Sequence, residues 1–197
     1  VSKETPRVPA KSSLLLWAAL ALPGVYFTFG FWQGSSFYGE YIHRTGDFSV
    51  KLLIVTMAVT PLSLVFGNAS WVCWLRRNRR YLGVACFCYA LLHTAAYLLE
   101  QPMDRILRES TEIPIGTGWL ALSIMLPLAL TSNDLSLRLL RRNWKLLHRL
   151  VYAVAALTFL HWVLTAFDPV AAYWHLGVLA GLECIRLGYA RGRRSHR

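Results

Sequence analysis

Residues 144–162 read WKLLHRLVYAVAALTFLHW, from Trp144 to Trp162. No charged residue falls between Leu150 and Leu160, and the stretch approaches the ~20 apolar residues that carry a helix across a bilayer. It nevertheless contains two histidines, His148 and His161. An ionisable side chain in lipid is costly, so each histidine calls for a function and a partner. The best partner elsewhere is His93, inside a second apolar stretch, Tyr81 to Leu99, YLGVACFCYALLHTAAYLL.

Composition places these stretches in a membrane protein. The chain has 197 residues, 55% of them hydrophobic and 16% charged, where a soluble domain carries about 25% charged. The charge is confined to blocks between nearly pure apolar runs. The formal charge of +11 therefore points to a membrane surface and not to nucleic acid, because the basic residues cluster at the ends of apolar runs. Four cysteines, Cys73, Cys86, Cys88 and Cys184, form no CxxC, CxxCH or zinc-ligand spacing and read as packing residues. Without CxxCH, covalently attached c-type haem is excluded. The first apolar run does not resemble a cleavable signal peptide.

The apolar runs give six spans: Leu14–Phe31, with Pro23-Gly24 inside it, Phe48–Phe66, Tyr81–Leu99, Thr117–Thr131, Leu146–Phe167 and Val170–Leu187. The expected fold is all-α, a polytopic six-helix bundle occupying residues 14–187, between a polar, disordered start (1–13) and a basic tail (188–197). Gln33–Asp47, Gly67–Arg80, Glu100–Gly116 and Ser132–Lys145 read as loops, the third with a short surface helix at Met103–Glu109. Ser132 or Asn133 is available as a helix cap just after the fourth span. No internal repeat is evident. Seventeen of the 21 Lys and Arg fall on the side that holds the N-terminus; Arg44, Lys51, Arg105 and Arg108 fall on the other. The positive-inside rule then puts both termini in the cytoplasm.

On this topology the third and fifth spans run in the same direction. His93 and His161 both lie roughly 18–20 Å from the cytoplasmic side, counted at about 1.5 Å per residue. Two imidazoles at one depth suit the axial positions of one b-type haem. His148 sits about 20 Å nearer the cytoplasm, with no histidine opposite. It is a candidate for a second haem, or for contact with a propionate, a flavin or a quinone. His43, His175 and His196 lie in or near loops and are weaker candidates. No Gly-rich phosphate loop, Walker sequence, G-x-S-x-G or intramembrane acidic pair offers competing chemistry.

Three segments resemble a known family: HRTGDFSVKLLIVTMAVTPL (His43–Leu62), RRYLGVACFCYALLHTAAYLLE (Arg79–Glu100) and LALTSNDLSLRLLRRNWKLLHRLVYAVAALTFLHW (Leu128–Trp162). They are similar to the MsrQ (YedZ) family, haem-binding membrane subunits of the bacterial periplasmic protein-methionine-sulfoxide reductase system, within the ferric-reductase-like transmembrane superfamily. The resemblance implies an inner-membrane electron-transfer subunit of an oxidoreductase, with no substrate-converting site of its own. It puts haem b, one or two, at His93, His148 and His161, with FMN or quinone as further cofactors. It implies a cytoplasmic flavin reductase or the quinone pool as donor, and a periplasmic molybdopterin-containing reductase subunit as acceptor. At Glu112–Ser123, EIPIGTGWLALS, the chain departs from the family's basic-Arg-Pro-Tyr element. From the residues alone, a stand-alone ferric or quinone-coupled reductase and a cofactor-free structural or transport protein stay open.

Overall fold

The computed structural model describes residues 10–195 along the backbone and 13–189 with side chains. Among the described residues the chain is helical throughout, in the order α1 (Ala10–Trp32), α2 (Tyr38–Phe66), α3 (Ser70–Glu100), α4 (Met103–Ser110), α5 (Ile113–Leu130), α6 (Asp134–Leu140), α7 (Arg142–His148), α8 (Val151–Thr165) and α9 (Val170–Ser195). Six spans are long and apolar enough to cross a membrane: α1, α2, α3, α5, the α7–α8 segment and α9. The molecule is a multi-pass membrane protein. Most of the expected disordered start, and His196, lie outside the described residues. α1 begins at Ala10 and α9 carries the basic tail as helix to Ser195.

Helix α2 is the axis of the bundle. Buried residues make up 56% of its span, against 6–17% for α1, α5, α7–α8 and α9. Its Leu53, Ile54 and Met57 meet Leu82, Cys86 and Tyr89 of α3 and Val154 and Phe159 of α8 in a common core. Ser49 and Cys86 lock α2 to α3 reciprocally. The serine hydroxyl donates to the Cys86 carbonyl at 2.9 Å, and the thiol donates to the Ser49 carbonyl at 3.2 Å. Cys86 is thus a buried, hydrogen-bonded packing residue, whereas Cys88, on another face of α3, and Cys184 are exposed, so the expected packing role does not hold for those two.

Three helices are longer than the hydropathy runs that announce them. The expected loop Gln33–Asp47 is helical from Tyr38, because its charges pair one turn apart: Glu40 with Arg44 and Asp47 with Lys51, both at 2.6 Å. The expected loop Gly67–Arg80 is the start of α3. At 31 residues this helix is about 46 Å long, well beyond the ~30 Å hydrocarbon layer, and the excess carries Arg76, Arg77, Arg79 and Arg80. Likewise α5 begins at Ile113 and not Thr117, with Pro114 in its first turn, where the missing N–H is no loss. The expected basic loop Ser132–Lys145 is two short helices. Asn133 caps the first by accepting from the Ser136 N–H at 2.8 Å, and Arg141 breaks between them in the left-handed region, φ 46°.

Helix α1 contains Pro23, and Tyr89 repairs the region. The Gly24 N–H, which would ordinarily reach the Leu20 carbonyl, donates to the Tyr89 hydroxyl at 2.7 Å; that hydroxyl donates to the Leu20 carbonyl at 2.8 Å. A side chain from α3 is therefore spliced into the ladder of α1.

Candidate functional site

His93 lies seven residues before the end of α3, and His161 four before the end of α8. α3 packs chiefly on α2, and α8 on α5, so the two histidines face each other across the seam between two helix pairs. Their ring centroids are 6.2 Å apart and their planes perpendicular, at 90°. Each ring is anchored through Nδ1 to a backbone carbonyl of the neighbouring helix. His93 meets the Ile42 carbonyl of α2 at 2.9 Å, and His161 the Pro114 carbonyl of α5 at 2.7 Å. A carbonyl oxygen only accepts, so each Nδ1 carries the proton and donates it. Each Nε2 is left with its lone pair, the tautomer a metal-ligating imidazole needs.

The separation suits one metal ion between the rings. Two metal–nitrogen bonds of about 2 Å, with half a ring at each end, put imidazole centroids roughly 6 Å apart. Among the described residues, no three His, Cys, Asp or Glu side chains converge, so the donor set is two neutral imidazoles. Two axial imidazoles are a haem set, because the macrocycle provides the remaining ligands. The surroundings agree. A Cβ placed on Gly46 would stand 2.9 Å from His93 Nδ1, and one on Gly118 would stand 2.9 Å from His161 Nδ1. The neighbouring helices approach the rings as closely as glycine allows.

The structure brings His93 and His161 together and places His148 elsewhere, toward the other end of the bundle. The His148 ring is stacked on Trp144, centroids 4.0 Å apart and 23° between planes. Its Nε2 is 3.1 Å from Thr131 Oγ1. That hydroxyl donates to the Pro127 carbonyl at 2.6 Å, so its oxygen accepts from His148 Nε2–H, and Nδ1 is the free nitrogen. Trp144 Nε1 donates to the Thr131 carbonyl at 2.9 Å, so indole and imidazole hang from one residue.

His148 lines a cavity of about 320 Å³ shared by α2, α3, α5, α7–α8 and α9. Leu53, Phe87, Met125 and Val154 form apolar wall; Arg79, Arg80, Lys145, Arg149 and Arg186 supply cations. Arg80 pairs with Asp134 at 2.5 Å and Arg186 with Glu183 at 3.0 Å. Arg186 also lies over the Tyr152 ring, 4.7 Å from its centroid, and donates to that residue's hydroxyl. Arg79 has one long hydrogen bond, 3.4 Å to Thr60 Oγ1. Thr56 lines the same cavity, is only 8% exposed, and its hydroxyl has no partner. An apolar slot with cations and an unpaired hydroxyl fits a flat ligand bearing acidic or carbonyl groups.

Of the weaker candidates, His43 and His175 do not ligate at either site, and His196 lies outside the described residues. His43 is exposed on α2, and His175 bonds the Ala171 carbonyl of its own helix at 2.7 Å. Sequence reading missed the Ile42 and Pro114 carbonyls, which carry no residue signature. It also passed over Gly46 and Gly118, although an isolated glycine in a helix often marks a close approach.

The fold and the facing histidines define a class. The chain belongs to the family described as ferric reductase like transmembrane component, which matches residues 45–159. Within that class its relatives are proteins named protein-methionine-sulfoxide reductase heme-binding subunit MsrQ, and the chain is a member of that family. It is 37% identical to the relative from Xanthomonas axonopodis pv. citri (strain 306), over 92% of this chain and 88% of that one. The corresponding figures are 38%, 83% and 78% for Xanthomonas campestris pv. campestris (strain 8004), and 33%, 91% and 87% for Rhizobium meliloti (strain 1021). No solved structure matches the chain.

Proposed function

We propose that this protein is the haem-bearing electron-transfer subunit of a methionine-sulfoxide reductase system in a bacterial inner membrane. His93 and His161 are the axial ligands of one b-type haem. The observation that carries this reading is the pair of imidazoles 6.2 Å apart, each with Nδ1 committed to a carbonyl. The relatives' name, heme-binding subunit, supports it. Bound haem supplies a one-electron iron couple, low-spin when both axial positions hold imidazole. The protein's own residues do the rest. The Ile42 and Pro114 carbonyls fix the tautomer, and α2 and α5 close over the rings at Gly46 and Gly118.

The cavity around His148 is the donor side. The basic end of the bundle faces the cytoplasm by its charge, and there Arg79, Lys145 and Arg149 bind the acidic groups of a flavin, a quinone's carbonyls or a second haem's propionates. A cytoplasmic flavin reductase or the quinone pool delivers electrons at that end. The opposite end, where His93, His161 and α4 lie, hands them to a periplasmic molybdopterin-containing subunit that reduces methionine sulfoxide in proteins.

The test is spectroscopic. Protein purified in detergent should show a Soret band and a dithionite-sensitive b-type α band. In low-temperature EPR, His93→Ala and His161→Ala should lose the same low-spin signal, and the double variant should be little worse than either. Loss of different signals by the two variants would assign the histidines to separate irons. A colourless, folded preparation would remove the electron-transfer reading altogether.

A further inference from the structure

Two dipeptides stand in the same relation to the two histidines. The stretches are Ile42-His43-Arg44-Thr45-Gly46 at the start of α2 and Pro114-Ile115-Gly116-Thr117-Gly118 at the start of α5. In each, the first residue's carbonyl accepts an imidazole Nδ1–H from the paired helix. In each, the threonine three residues later donates its hydroxyl to that same carbonyl, at 3.1 Å from Thr45 and 2.8 Å from Thr117. In each, the glycine four residues later is the point where a Cβ would meet Nδ1 at 2.9 Å.

Threonine back-bonding in helices is common and means little alone. Thr28, Thr94 and Thr165 all do it here, to carbonyls four residues earlier that no imidazole shares. Only where a histidine docks do the hydroxyl and the ring converge on one oxygen with glycine beside them. The three features at one spacing occur on α2 against α3 and again on α5 against α8, the two helix pairs whose seam the histidines bridge. Thr45 is fully buried and divides its one hydroxyl proton between the Ile42 carbonyl and the Tyr41 carbonyl, the nearer at 2.9 Å, so its pull on the Ile42 oxygen is the weaker of the two copies and Thr117 is the fuller donor.

We propose that Thr45–Gly46 and Thr117–Gly118 are two copies of one positioning device for the axial histidines. Each glycine lets a helix close onto an imidazole. Each threonine shares the carbonyl that holds Nδ1–H, and so sets how strongly that carbonyl pulls on the ring. A hydroxyl drawing on the same oxygen weakens the imidazole's hydrogen bond. Without it the ring becomes the more basic ligand, and a more basic ligand favours the oxidised iron. The device rests on the proposed ligation by His93 and His161, and the two can fail separately.

The experiment compares purified Gly46→Ala, Gly118→Ala, Thr45→Val and Thr117→Val with His93→Ala, His161→Ala and Gly177→Ala, the last a glycine with nothing within 4 Å of its would-be Cβ. The readouts are haem retention, the low-spin EPR signal and the midpoint potential. Gly46→Ala and Gly118→Ala should weaken haem binding on the order of 10–100-fold and shift or lose the signal the histidine variants lose, while Gly177→Ala keeps it. Thr45→Val and Thr117→Val should keep haem but lower its potential, and Thr45→Ser and Thr117→Ser should restore it. If a glycine variant does not fold, the threonine variants decide, because they keep the side-chain shape. Wild-type signal and affinity in both glycine variants would overturn the device, and so would wild-type potentials in both threonine variants. If His93→Ala and His161→Ala keep the signal, the ligation itself is wrong and the device falls with it.

Discussion

The imidazole of His148 lies flat on the indole of Trp144, 4.0 Å away, and both rings are tied to Thr131, one through its hydroxyl and one through its carbonyl. A histidine held this way at the wall of a cavity is preset toward whatever enters. His148→Ala should therefore slow reduction from the donor side while leaving the His93–His161 low-spin signal in place. Thr131→Val, which frees the ring, should do the same more weakly. Stopped-flow reduction of purified protein checks both, and wild-type rates in both variants would reduce His148 to a packing residue.

Glu109 ties the short helix α4 to α3. One carboxylate oxygen is 2.6 Å from Arg105 Nε; the other accepts from the Tyr97 hydroxyl at 2.8 Å. The Arg105 guanidinium first, then the Tyr97 hydroxyl, hold the carboxyl below its ordinary range. A depressed carboxylate contributes its stabilisation in full above the unfolded value, about pH 4.3, and loses it as pH falls through the lower folded value. Protection factors of the α4 amides, referenced to the intrinsic exchange rate at each pH, should fall on acidification below about pH 4. Glu109→Gln should remove that acid step, since the amide has nothing to titrate. An acid step that persists in Glu109→Gln would place its origin elsewhere.

Topology is tested at two breaks between helices. A reporter fused after Glu112, between α4 and α5, should lie outside, and one after Arg141, between α6 and α7, should lie in the cytoplasm. The same compartment for both would mean that α5 does not cross the membrane, and would break the six-span topology.

Tyr89→Phe removes the hydroxyl spliced into α1. The Gly24 N–H and the Leu20 carbonyl must then find each other directly or go unpaired, at about 1–3 kcal/mol if they do not. Thermal unfolding of the detergent-solubilised protein should show the loss. An unchanged midpoint would mean that α1 closes its own ladder.

How much was legible in the sequence depended on which physical signal each feature leaves. Apolar length is written directly in residues, so all six spans and the short helix at Met103 could be read. Hydropathy reports the part of a helix that lipid needs, not the part that hydrogen-bonds. The polar first turns of α2, held by Glu40–Arg44 and Asp47–Lys51, therefore looked like loop, as did the arginine-bearing start of α3. Placing His93 and His161 at one depth needed only residue counting along two parallel helices. What holds their rings did not show, because Ile42 and Pro114 act through carbonyls that every residue possesses. A two-residue Thr-Gly recurrence is too short to notice until the imidazoles lie beside it.

The splice between Tyr89 and α1 bears on how the molecule is assembled. Helix α1 precedes α3 in the chain, so Gly24 is synthesised some sixty residues before its tyrosine. During that interval Gly24 and Leu20 can only satisfy each other, as in any solitary membrane helix. In the folded bundle that pairing is replaced by the two bonds through the Tyr89 hydroxyl. Only 6% of the α1 span is buried, so its rotation is set by this exchange together with the Thr28–Tyr41 hydrogen bond and the Trp17–Tyr81 and Phe31–Tyr41 ring contacts. A residue made later thereby helps to place a span made before it.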